Sequence, residues 1–291
     1  MKNISILLGL LLVVTSCADP DNLINDVLDN YTNGAVIRTI SSSGEYNFYA
    51  PDTSVFTATI EEHDTENGAL MQDIEISVSF NSGTEKLIQT LLPSDFTKGP
   101  TGLPRTDISV SLGDAMTALG LSSSQYTGGD AVNINLKLNL TDGRSFGADQ
   151  ATGSMTGSYF KSPYRYAKII KCIPLVAVPG IYTFNMADSY GDGWQGGGIL
   201  VTVDGYATKH GIPDDGDTTG LETFTGNNSS GYSTLTIPIG ASTMEFSWVN
   251  DTYNSECSFN VVYTELDGTN EQTALNVSVV SAGTKTLSIC R

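Results

Sequence analysis

Residues 131–140 read AVNINLKLNL, in which Val132, Ile134, Leu136, Leu138 and Leu140 alternate with polar neighbours. Successive side chains of a strand point to opposite faces, so this period of two describes a ribbon with one face on a core and the other toward water. Ile74, Ile76, Val78 and Phe80 repeat the pattern. Runs of this kind, bounded by Gly, Pro, Asn and Asp, predict strands over 36–40, 45–49, 55–61, 74–80, 87–92, 108–112, 132–140 and 164–170. A second series is expected over 180–186, 199–203, 233–239, 244–249, 257–264, 274–280 and 285–290. One short helix, 113–119, carries Met116 and Leu119 at helical spacing and stops before Gly120. The chain therefore reads as all-β, with two tandem β-sandwich domains over 34–173 and 174–291. The boundary falls where Pro174 and Pro179 interrupt any ladder.

The connection between the first two strands of the second series is unusual. Residues 188–198 read DSYGDGWQGGG, and seven of the eleven are Gly or Asp, a density that opposes helix and strand and demands a shaped loop. Ordering it costs conformational entropy, which packing of Trp194 and Tyr190 or a bound ion would offset. Asp188 and Asp192, with Asp251 and Glu256 from a second loop, are the candidate ligands of a hard cation, and calcium is the natural ion. The alternative is a turn in which the Asp side chains bond their own backbone. Tyr190, Trp194 and Tyr253 are the candidate aromatics for stacking on a sugar, whereas Trp248 shares parity with Met244 and Phe246 and reads as core.

Charge excludes some function classes. Thirty-two acidic residues against fourteen basic ones give a formal charge of −18, which repels phosphate backbones, so nucleic acid is not an expected partner. His63 and His210 are the only histidines and read as surface residues, too far apart in sequence to suggest a zinc site or a triad. Neither a GxSxG elbow nor a phosphate-binding loop is present, and no catalytic residue is assigned.

At the amino terminus Lys2 precedes an apolar run over 4–14 that is too short to span a bilayer comfortably, and Cys17 follows at once. This predicts an export signal over 1–16. Val14-Thr15-Ser16-Cys17 resembles the lipobox of bacterial lipoproteins, which implies that Cys17 is diacylated and begins the mature chain. Each buried methylene contributes about 0.8 kcal/mol, so such an anchor holds stably at the outer membrane. Residues 17–33 read as an acidic tether, in which Asp19 and Asp21 resemble the acidic export tags of surface lipoproteins in Bacteroidetes-type bacteria; that resemblance implies exposure on the cell surface.

Two further resemblances concern the sandwiches. Residues 111–146, SLGDAMTALGLSSSQYTGGDAVNINLKLNLTDGRSF, followed by YFKSPYRYAKIIKC, are similar to an immunoglobulin-like domain of small Bacteroidetes-type lipoproteins, which often accompany starch-utilisation-type uptake systems. DSYGDGW with the downstream FSWVNDTYNSECSFNVV resembles a β-sandwich module of secreted surface proteins, and its strand count suits a jelly roll. These resemblances imply folds and carry no activity across; with the lipobox, the overall reading is a lipid-anchored binding or structural accessory protein, with a glycan or an outer-membrane uptake complex as partner. The alternative is an extracellular glycan-processing enzyme or an adhesin.

Three cysteines remain after Cys17, so at most one internal disulfide forms. Cys257 shares its face with Phe259, Val261 and Tyr263 and reads as a buried thiol. Cys290 lies on the polar parity of the last strand and Cys172 at the domain entrance, which makes Cys172–Cys290 the expected pair. Free thiols remain the rival on sequence alone.

Overall fold

The computed structural model describes residues 33–157 and 160–291. The expected export signal over 1–16, Cys17 and all of the expected tether but Asn33 lie outside the described residues. Among these residues no helix is long and apolar enough to cross a membrane.

The protein is all-β, with several sheets in a sandwich-like arrangement. Among the described residues of the first half lie ten strands: β1 (Val36–Ser43), β2 (Tyr46–Asn47), β3 (Val55–His63), β4 (Met71–Phe80), β5 (Lys86–Leu91), β6 (Thr97–Lys98), β7 (Pro104–Ser111), β8 (Ala131–Leu140), β9 (Ser145–Phe146) and β10 (Arg165–Lys171). They form one sheet ordered β1-β3-β7-β6 and another ordered β2-β10-β8-β4-β5, with β9 added to β8. The inward faces of both sheets supply one buried cluster, including Phe56, Ile60, Ile74, Ile76, Ile134 and Leu138. Period-two alternation thus becomes a shared core between two layers.

The predicted helix is α1 (Leu112–Leu119). Ser111 caps it by accepting from the Asp114 N–H at 3.0 Å, and Gly120 closes it at φ +71°. Its buried residues, Leu112, Ala115 and Met116, pack on the first core.

Nine strands follow: β11 (Gly180–Asp188), β12 (Gly198–Val203), β13 (Tyr206–His210), β14 (Phe224–Asn227), β15 (Ser230–Ile237), β16 (Met244–Val249), β17 (Cys257–Thr264), β18 (Gln272–Val277) and β19 (Gly283–Lys285). One sheet runs β14-β15-β11-β17-β18 and the other β13-β12-β16-β19. They enclose a separate cluster that includes Tyr182, Phe184, Trp194, Val201, Trp248 and Tyr263. The first cluster ends at Ile170 and the second begins at Ala177.

Sequence parity misplaces several features. β13 and β14 are not foreseen, because YATKH and FTGN are short and weakly apolar. The expected strand at 285–290 is instead β19 followed by an extended tail, in which Leu287 and Ile289 are buried but hydrogen bonds go to mixed partners. Ser288 N–H donates to Ala274 O and Ile289 N–H to Cys172 O, both at 2.8 Å. His210 is a correction: it is fully buried rather than at the surface, stacked on Phe184 with ring centroids 4.2 Å apart and its Nδ1 2.9 Å from Ser233 Oγ. Burial pushes its pKa down to about 4, so it stays a neutral core residue at physiological pH.

Cys172 and Cys290 are joined in a disulfide, and Cys257 is a buried free thiol whose pKa burial and then nearby acids push up to about 12. The bond lies at the junction of the two halves. Asn47 pairs both backbone groups of Ile173, at 2.9 and 3.0 Å, while Tyr49 Oη donates to Ile289 O and accepts from the Arg291 N–H. A side chain on Gly128 would overlap both sulfurs, so the loop at 127–129 packs directly on the bridge.

Candidate functional site

The ladders decide which loops meet. β11 and β17 are antiparallel with Asp188 opposite Cys257, and β12 and β16 with Gly198 opposite Val249. The β11–β12 loop at 189–197 and the β16–β17 loop at 250–256 therefore emerge side by side at one end of the second sandwich. Ser189 N–H donates to Glu256 O at 3.0 Å and locks them together.

Asp188 continues the inward parity of β11, after Tyr182, Phe184 and Met186, and is 4% exposed. A buried carboxylate needs donors, and the loop supplies them. Its Oδ1 accepts from Tyr190 N–H at 2.8 Å and Gly191 N–H at 3.1 Å, and its Oδ2 from Gly193 N–H at 2.8 Å. Gly193 adopts φ +99°, and a Cβ there would overlap the Pro213 carbonyl oxygen, because the loop that follows β13 packs against this turn. Asp251 does parallel work: Oδ2 accepts from Gly197 N–H at 3.1 Å, stitching the first loop to the second, and Oδ1 from Tyr253 N–H at 2.8 Å.

Asp188, Asp192 and Glu256 each bring one carboxylate oxygen within 4.8 Å of the others. Asp251 stands outside this group, its oxygens committed to Gly197 and Tyr253. Glu256 has its carboxyl pKa raised, first by desolvation and then by the charges of Asp188, Asp192 and Asp251. Three carboxylates at this separation repel one another, and a divalent cation is the species whose charge and oxygen preference would relieve them. An ionised carboxylate offers about four lone-pair sites. The three N–H bonds to Asp188 and the 2.7 Å bond from Gln195 Nε2 to Asp192 Oδ1 leave acceptor capacity over.

The aromatic candidates separate. Trp194 is corrected from ligand-binding to core: it is 2% exposed, packs edge-on against Trp248 at 5.0 Å, and its Nε1 donates to Ala187 O at 3.4 Å. An indole of this size repays loop ordering best when its whole surface is removed from water. Tyr190 and Tyr253 are instead 76% and 52% exposed, one on each loop. Asn254, which sequence reasoning passed over, organises the second loop, since its Oδ1 accepts from both Trp248 Nε1 at 2.8 Å and Asp251 N–H at 3.0 Å. The only signal for it was an Asn within a turn after a Trp-bearing strand.

No family model, no curated protein and no solved structure matches the chain.

Proposed function

We propose that this chain is a lipid-anchored, exported binding or structural accessory protein of the outer membrane, whose second sandwich presents a loop end organised by a divalent cation, with calcium as the ion and a glycan as the ligand class. The observation that carries the reading is the convergence of Asp188 at the end of β11 with Asp192 and Glu256 from the two neighbouring loops. Hard oxygen donors suit calcium, and the ion would hold together the loops that display Tyr190 and Tyr253. The chain's formal charge of −18 favours cations at its surface in general. The only Ser–His contact among the described residues, His210 with Ser233, is buried and neutral, which supports binding over nucleophilic catalysis at that pair.

Melting the protein in calcium and in excess chelator tests the ion. At a calcium concentration a hundredfold above Kd, the bound form should gain about 2.7 kcal/mol, and Asp192→Asn should abolish the difference. Coincident melting curves for the wild type in the two buffers would remove the cation from the reading. The anchor is tested separately: Cys17→Ala should shift the protein from the membrane fraction to the soluble one or block its maturation, and unchanged retention with normal processing would refute lipidation there.

A further inference from the structure

Asn135 breaks the pattern of its strand. It takes the polar parity of β8, with Asn133, Lys137 and Asn139, yet it is only 5% exposed. Its Oδ1 accepts from Arg165 Nε at 2.6 Å. A guanidinium can only donate, so this contact fixes which end of the amide faces the arginine. The other end, Nδ2, is a buried donor with no partner; the other unpartnered buried side-chain atoms among the described residues are the two carboxylate oxygens of Glu62. Leaving it unpaired costs free energy that an incoming acceptor would recover.

The strand pairing explains what surrounds it. β4 runs along one edge of β8, whereas the other edge is shared by β10, opposite Ala131–Asn135, and by β9, opposite Leu138 and Asn139. The two do not meet. A cleft of about 250 Å3 opens at the gap, walled by the turn at Ala148–Gln150, and Asn135 lines it. That is smaller than the roughly 300–1,000 Å3 of typical drug-sized sites and suits a single small polar unit.

The lining selects the chemistry. Glu85 and Asp149 balance Lys137 and Arg165, so neither an anion nor a cation gains from the net charge. Gln150 Oε1 accepts from Gly147 N–H at 2.9 Å, which leaves its amide NH2 to donate. Phe146, one face of which lies under Arg144 at 5.8 Å, adds an apolar wall. Donors and acceptors interleaved beside an aromatic ring match a neutral molecule whose hydroxyls both donate and accept and whose C–H surface is apolar.

We propose that this cleft in the first sandwich binds one residue of a neutral saccharide, with Asn135 Nδ2 donating to a sugar oxygen. The proposal rests on the glycan part of the proposed function but not on the cation cluster, which belongs to the other sandwich.

The test is to screen the full-length protein against neutral oligosaccharides derived from starch, xylan and mannan, by thermal shift and calorimetry, alongside Asn135→Asp and Phe146→Ala. Asn135→Asp keeps an acceptor for Arg165 while deleting the donor, so the fold should persist. A sugar whose affinity drops at least tenfold in both variants, and whose thermal stabilisation disappears with it, supports the cleft. A sugar bound equally by both variants but lost on Tyr190→Ala with Tyr253→Ala overturns the cleft and leaves the glycan reading standing. Absence of binding to every oligosaccharide overturns the cleft and the glycan reading together, while the calcium melting experiment still reports on the cation.

Discussion

Replacing Glu62 by Gln is expected to raise the stability of the protein at pH 8 by up to about 5 kcal/mol, and to leave it nearly unchanged near pH 4.5. Glu62 lies on the inward parity of β3, after Phe56, Ala58 and Ile60, and is fully buried. Both of its carboxylate oxygens lack a hydrogen-bond partner. Burial, and then the charge of nearby Asp64, push its pKa from 4.5 up to about 8. Asp64 is the better-served acid of the two, accepting from Glu66, Gly68 and Leu70 N–H at 2.7–2.8 Å.

The sign follows from proton binding. A folded-state pKa above the unfolded one means that the native protein holds the proton more tightly, so the contribution is fully present below about pH 4.5 and is lost as pH rises through about 8. The amide introduced by Glu62→Gln is a neutral group of the same shape at every pH and cannot titrate. The difference in melting temperature between variant and wild type should therefore grow from near zero at about pH 4.5 to on the order of 10 °C at about pH 8. Subtracting one curve from the other removes the pH dependence of the remaining acids. A difference that stays constant across this range would show that Glu62 is ionised or solvated in the folded protein.

The same residue shows where sequence reading stops. The alternation of β3 was legible to Glu61, and there a second consecutive acid argues for solvent, so the strand was expected to end. The ladder instead continues, with Ile37 opposite Glu62 and Val36 opposite His63, and carries a carboxyl into the core. Glu61, on the outer parity, is equally buried but is held by Arg38 at 3.1 Å and Arg105 at 2.6 Å from the flanking strands. Composition cannot distinguish two adjacent glutamates whose fates are set by partners 23 and 44 residues away.

Asn135 was hidden for a related reason. Its parity is polar, and it is covered by Arg165 from β10 together with the approach of β9 and the following turn. What was legible depended on local chemistry: the period of two in β4 and β8, the Gly120 stop of α1, and the Asp/Gly loop whose carboxylates meet their own backbone amides. Trp194 was misjudged because a tryptophan in a glycine-rich loop resembles a ligand platform. Its burial depends on Trp248, which stands 54 residues later in the sequence.

Removing the Cys172–Cys290 bridge, by Cys172→Ser with Cys290→Ser, should cost about 5 kcal/mol by the loop-entropy estimate for a closure spanning 118 residues. The loss should be larger than an isolated tail would suffer, because the bridge anchors a chain of contacts. The tail after β19 has little ladder of its own and relies on Ala274, Gln272 and the backbone of Cys172 for its hydrogen bonds. Leu287 and Ile289 fill the second core from this tail, and Tyr49 of the first half grips the Ile289 carbonyl and the Arg291 amide. Freed from the bridge, the tail can withdraw two buried side chains at once. The double variant should therefore melt lower and should become sensitive to carboxypeptidase, while the wild type resists the enzyme until it is reduced. Cys257→Ala gives the contrast: it truncates a buried thiol that forms no disulfide and donates one weak hydrogen bond, to Tyr253 O at 3.6 Å, and should cost only the few kcal/mol of a small cavity, without exposing the carboxyl terminus. Equal protease resistance in the double variant and the wild type would show that core packing alone retains the tail and that the disulfide acts only on the unfolded chain.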